Sequence, residues 1–167
     1  LKSTSTVHAH LKVLQRLGYI DMPSNKQRSI TLHMSDKGVT PVALVGTVAA
    51  GQPIYAADNI QDTFSLPSSL LKGAKPTEVF ALSIAGDSMV DAGILNGDMV
   101  LVNNSLAIEN GDIAVVRVDG DTATVKRVYI ESTTVRLQPE NAAMQPIIVG
   151  KERVDLVGKV VGLIRRY

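Results

Sequence analysis

From Val42 to Ile164 the apolar residues come in short runs broken by glycine-bearing turns. Val79–Ile84, Asp98–Val102 and Asp112–Val118 each read as a strand, and Asp119-Gly120 reads as a hairpin turn leading into Thr122–Tyr129. Val135–Leu137 and Val157–Ile164 complete the set. Helix-length periodicity is scarce here, apart from short turns near Pro67–Leu71. This pattern predicts a mostly β body folded into a partly barrel-like sheet.

The first forty residues have a different period. Val7, Leu11, Leu14 and Leu17 recur at spacings of four, three and three, which places them in one stripe of a helix. Ser3, Thr4 and Ser5 are candidate N-caps, and Gly18 is a candidate C′ residue. The face away from the stripe carries Ser5, Thr6, His8, Ala9 and Lys12, short or hydrogen-bonding side chains of the kind a recognition helix presents to base edges. Tyr19–Met22 and Arg28–Leu32 then predict two short strands around a turn at Pro23-Ser24-Asn25. Such a hairpin makes a wing, with Lys26 and Arg28 in reach of phosphates. Any amphipathic helix followed by a hairpin shares this pattern, so the pattern alone leaves DNA binding open. His8 and His10 stand two apart, on different helix faces, and no metal site is expected from them.

Charge separates the two regions. Residues 1–41 carry six Lys/Arg against Asp21 and Asp36, a balance of +4, and all three histidines. Residues 42–167 carry 11 basic and 14 acidic side chains, a balance of −3. A basic head on a mildly acidic body points to a polyanionic partner for the head alone. Between them Ser35–Pro41 reads as a polar linker, ending at a proline that blocks helix. The expected organisation is α+β: a partial winged helix-turn-helix over 1–34, a linker over 35–41, and a β-rich domain over 42–167. Leu1 falls at the entry to a helix, so the natural chain is expected to begin earlier. No apolar stretch approaches the roughly 18–20 residues of a membrane span, and no membrane partner is expected.

Candidate chemistry is bounded by what is missing. There is no cysteine, and no histidine beyond His33, so Ser–His–Asp and Cys–His arrangements are excluded for the long C-terminal part. A serine activated by a lysine is the leading covalent option. Ser88 sits where an apolar run breaks at Gly86, and Lys126 sits inside a strand-like stretch among valines. A turn serine and a solvated strand lysine are the plainer readings of the same two residues. Asp87, Asp91 and Asp98 each lie beside glycine or a turn and read as turn formers. Ala50-Gly51 offers an unhindered carbonyl in a segment of small residues, and a strand leaving a linker would look the same.

Several motifs in order carry a family resemblance. Gly86-Asp87-Ser88-Met89 with Asp91–Asp98, Gly111–Ala114, Ala123–Arg127, Leu137–Asn141 and Gly158–Arg165 resemble the body of LexA-type self-cleaving repressors. Ser3–Leu11 resembles the recognition helix of the same family, and the likeness spans nearly the whole chain. The family places two further helices before that helix, which this sequence lacks. The resemblance implies Ser88 as nucleophile, Lys126 as general base, and the backbone N–H groups of Asp87 and Ser88 as oxyanion donors. It implies Ala50-Gly51 as the scissile bond, in a cleavage segment that includes Val48 and Ala49. It further implies operator contacts from Ser3, Ser5, Thr6, His8, Ala9, Lys12, Lys26 and Arg28, and a homodimer through the C-terminal domain around Gly158–Ile164. The implied partners are operator double-stranded DNA and a RecA filament on single-stranded DNA, in the bacterial cytoplasm, with no cofactor. A phage-type repressor or a UmuD-like translesion accessory protein would share the same peptidase body.

Overall fold

The structure is a computed structural model that describes Val7, Leu11, Lys12, Ile20, Asp21, Thr31, Leu32 and residues 38–46, 59–71, 74–120 and 123–167. Among these, β1 (Ile20–Asp21) pairs antiparallel with β2 (Thr31–Leu32), Ile20 opposite Leu32. That pairing falls within the two strands expected for the wing. Val7, Leu11 and Lys12 are helical; Val7 is exposed and Leu11 half-buried, so the described part of the expected apolar stripe is only partly covered.

The remaining strands form one sheet: β3 (Val39–Val45), β4 (Ile60–Pro67), β5 (Val79–Ser83), β6 (Met99–Asn103), β7 (Ile113–Val118), β8 (Thr124–Ile130), β9 (Thr134–Gln138), β10 (Ile147–Gly150) and β11 (Val154–Ile164). Their spatial order is β10-β9-β8-β7-β11-β6-β5-β3-β4, antiparallel throughout except for β3 beside β5. The order has two ends, so the sheet is open rather than closed into a barrel.

Folding of the sheet depends on β11. Its first half pairs with β7 and its second half with β6, with register shifts between Leu156 and Gly158 and between Val160 and Gly162. Bulges of this kind bend a strand and increase its twist. At Gly158 a Cβ would come within 2.7 Å of a Val102 methyl and 2.9 Å of the Asn103 carbonyl oxygen, so only glycine permits the close approach. The bent sheet covers three apolar clusters, centred on Phe80 and Val100, on Val42 and Val79, and on Val128 and Leu137.

Three segments differ from the sequence reading. Val39–Pro41, expected in the linker, begin β3 and pair with Ser65–Pro67. Proline is tolerated there because β5 pairs only with Ala43–Val45, leaving Pro41 paired on one side. β4 and β10 are the sheet's two edges and are largely exposed; β4 shows no apolar run, whereas β10 carries a short one, Ile147-Ile148-Val149, that the sequence reading did not assign. The turn at Asp119-Gly120 has both residues at positive φ, 53° and 77°, as a tight hairpin requires. No helix among the described residues is long and apolar enough to cross a membrane.

Candidate active site

Lys126 lies in the middle of β8 with Ala114 of β7 as its cross-strand partner. The side chain is 8% exposed, and Val125 and Val128 beside it are buried. Burial pushes its ammonium group below the ordinary value of 10.5, because removal from water penalises the charged form. The neighbouring Arg127 points elsewhere: its Nε donates to Glu140 Oε1 at 2.6 Å and its Nη1 to the Gly111 carbonyl at 2.6 Å.

Ser88 is brought to this lysine from a loop that comes after β5. Gly86, at φ 98°, turns the chain out of the strand, and its N–H donates to Asn96 Oδ1 at 3.0 Å. Beyond the serine, Met89 and Ile94 are buried in the core and anchor the loop from the other side. The base of the loop is tied by Asp98, 2% exposed, whose carboxylate accepts from Arg165 Nε and Nη2, each at 2.7 Å, and from the Leu95 N–H. The Arg165 hydrogen bond chiefly lowers the Asp98 carboxyl to about 2. The turn former of the sequence reading is thus also the buried half of an ion pair whose Arg165 side is half-buried.

Lys126 Nζ stands 2.9 Å from Ser88 Oγ, 2.9 Å from Thr124 Oγ1 and 2.9 Å from the Val125 carbonyl oxygen. As an ammonium it donates all three hydrogens to these acceptors. As a neutral amine it keeps two hydrogens and gains a lone pair, so one partner must donate instead. The Val125 carbonyl has no hydrogen to give, which leaves a hydroxyl, Ser88 or Thr124. Ser88 O–H donating to a neutral Nζ is the starting geometry for proton removal by a general base.

A cavity of about 300 Å³ opens at this point, lined by Gly46, Ile84, Ala85, Ser88, Thr124 and Val125 among others. Gly46 is the last described residue before the proposed cleavage segment, and its N–H donates to the Asn59 carbonyl at 2.9 Å. The chain between Gly46 and Asn59 therefore leaves and re-enters the sheet at one point on the cavity rim. Val48, Ala49, Ala50 and Gly51 lie outside the described residues, as do Ser3, Ser5, Thr6, His8, Ala9, Lys26 and Arg28 of the expected DNA contacts. Lys12 is described and exposed.

The sequence reading overlooked Thr124 and assigned no role to Asn96. Thr124 had a signal: residues two apart on a strand share a face, so Thr124 and Lys126 point the same way. Asn96 had none, since its contact with Gly86 depends on the folded loop. Beyond β9, residues 139–141 satisfy backbone groups of the serine loop: the Glu140 carbonyl accepts from the Asp91 N–H, and Asn141 Nδ2 donates to the Asp87 carbonyl.

The β-rich body that carries this lysine and serine is a peptidase fold: residues 43–161 match the family described as Peptidase S24-like. The chain belongs to that family and, within it, to the LexA repressors. It is 47% identical over 170 residues to the LexA repressor of Clostridium tetani, spanning 100% of this chain and 82% of that relative. It is 49% identical to the LexA repressor of Caldicellulosiruptor saccharolyticus, spanning 99% and 81%. The LexA repressor of Clostridium botulinum is 45% identical over 169 residues, spanning 100% and 82%.

Proposed function

We infer that this chain is a transcriptional repressor of DNA-damage response genes that inactivates itself by cutting its own bond between Ala50 and Gly51. The observation that carries the reading is the 2.9 Å contact between a buried Lys126 and Ser88 on the rim of a cavity that Gly46 also lines.

In the reaction, neutral Lys126 takes the Ser88 hydroxyl proton while Ser88 Oγ bonds to the Ala50 carbonyl carbon. The carbonyl oxygen becomes an oxyanion, held by the N–H groups of Asp87 and Ser88. No acceptor for either N–H is found among the described residues, which leaves both available. The lysine then returns its proton to the Gly51 nitrogen, the Ala50–Gly51 bond breaks, and an ester joins Ala50 to Ser88. Water, deprotonated in turn by Lys126, attacks that ester and frees the Ala50 carboxylate. Val48 and Ala49 position the scissile bond in the cavity.

On this reading the head binds operator DNA through Ser3, Ser5, Thr6, His8, Ala9, Lys12, Lys26 and Arg28. A homodimer formed through the C-terminal domain presents two heads to a two-fold operator. The stimulating partner is a RecA filament on single-stranded DNA, which favours cutting by binding the docked cleavage segment better than the undocked one. Cutting severs the covalent tether between head and body, and the gain from bivalent binding is lost once β3 leaves the sheet with the head. The LexA repressor names of the relatives and the β1–β2 pair in the head favour this reading over an accessory protein without a DNA-binding head.

Intact-mass measurement of the purified chain, beside Ser88→Ala and Lys126→Ala, tests it. Fragments that meet at Ala50-Gly51 are expected from the wild type and from neither variant. Persistent cutting in either variant removes that residue from the mechanism.

A further inference from the structure

The serine loop is held by more than its own turn. Asn141, at the end of the loop beyond β9, donates from Nδ2 to the Asp87 carbonyl oxygen at 3.0 Å. Its Oδ1 accepts from the Ala143 N–H at 2.9 Å, which fixes which end of the amide is the donor. Among the described residues, the other donor to that carbonyl is the Val90 N–H, at a longer 3.4 Å. The Asp87 carbonyl belongs to the same peptide unit as the Ser88 N–H. In a trans peptide these two groups point in opposite directions, and no cis peptide is present among the described residues. Holding the carbonyl toward Asn141 therefore aims the Ser88 N–H the other way, away from the β9–β10 loop.

The loop that carries Asn141 is itself tied to both halves of the site. The Glu140 carbonyl accepts from the Asp91 N–H at 2.8 Å, and Asp91 Oδ2 accepts from the Ala142 N–H at 3.0 Å. Glu140 Oε1 accepts from Arg127, the neighbour of Lys126 on β8. A continuous set of contacts thus runs from the lysine strand through Glu140 and Asn141 to the peptide unit before the serine.

We propose that Asn141 is a positioning residue for the oxyanion hole: its amide fixes the plane of the Asp87–Ser88 peptide so that the Ser88 N–H is preset for the developing oxyanion. This rests on the self-cleavage reading of Ser88 and Lys126. Preset donors of this kind stabilise charge without reorganising as it forms.

Asn141→Asp is the discriminating variant. It keeps the shape of the side chain and the oxygen that accepts from Ala143, replaces the donor facing the Asp87 carbonyl with a second acceptor, and adds a negative charge, for which Asn141→Leu, with neither donor nor charge, is the control. The first-order self-cleavage rate is measured against pH for wild type and Asn141→Asp, with the melting temperature of each. The expected result is a rate at least about tenfold lower at every pH, against the roughly 10²–10³ lost when an oxyanion donor is deleted outright. The melting temperature changes little, and in uncharged Asn141→Leu the pH midpoint stays where Lys126 sets it. A wild-type rate in either variant overturns the proposal. A displaced midpoint in Asn141→Leu also overturns it, since Asn141 would then act on the lysine rather than on the peptide plane. A wild type that itself fails to cut, even with an activated RecA filament, counts against the self-cleavage reading and removes the clamp's function with it.

Discussion

Lys126 is the residue on which the chemistry turns. A charged ammonium cannot accept a proton, and an ordinary lysine stays charged until about pH 10.4. Burial among Val125, Val128 and Ala114 lowers that threshold, and the contacts to Ser88, Thr124 and Val125 keep the nitrogen in place in either protonation state. The same depression has a consequence for stability. A lysine whose folded pKa lies below its unfolded value binds fewer protons when folded, so stability rises with pH between the two values. Lys126→Met has no proton to lose at this position. Its stability relative to wild type is therefore expected to fall as pH climbs from neutrality toward 10.5, measured by thermal melts across that range. A difference that stays constant with pH would show that the lysine is not depressed by burial. The two central residues were legible in the sequence because histidine and cysteine are missing from the body and because the serine motif resembles a known family. Spacing alone would have left Ser88 in a turn and Lys126 in solvent. Their meeting depends on a contact between residues 38 apart, which no local pattern encodes.

At the scale of the element, β3 governs the fate of the two fragments after a cut. It lies on the head side of Ala50-Gly51, yet it sits inside the sheet between β4 and β5. Val42 and Val45 are fully buried, and each such side chain contributes about 1.5–3 kcal/mol when removed from water. Together that corresponds to roughly two to four powers of ten in an equilibrium, before the backbone pairing with β4 is counted. Breaking one bond in the loop beyond Gly46 leaves this strand where it was. Size-exclusion chromatography of the cut chain in native buffer is therefore expected to show residues 1–50 and 51–167 eluting together, and to part them once mild denaturant is added. Immediate separation in native buffer would contradict the burial seen for β3. The strand also shows where sequence patterns stop. β5, β6 and β7 were legible as apolar runs because both faces are covered, and β8 through the turn that precedes it. β4 was not, since this edge strand keeps polar or exposed residues along most of its length, while β10 is an apolar run too short to separate from a turn. Pro41 hid the start of β3 because proline usually ends a paired stretch, and here one side of the strand is unpaired at that point.

For the molecule as a whole, β3 and β4 flank the connection between Gly46 and Asn59, and Gly46 at its start lines the cavity that Ser88 also lines. On the proposed reading the substrate is part of the same chain, so the cut is expected to be a first-order event with a rate set by docking and by the charge on Lys126 rather than by encounter. A partner that stabilises the docked segment then controls the rate without touching the chemistry. The central claim is that Ser88 cuts the chain when Lys126 is neutral. The self-cleavage rate followed by intact mass from neutral to strongly alkaline pH, beside Ser88→Ala, tests it most directly. The account predicts a rate that rises with pH, levels off below pH 10.5, and is absent in Ser88→Ala throughout. A rate that is flat across the range, or cutting that survives in Ser88→Ala, would contradict it.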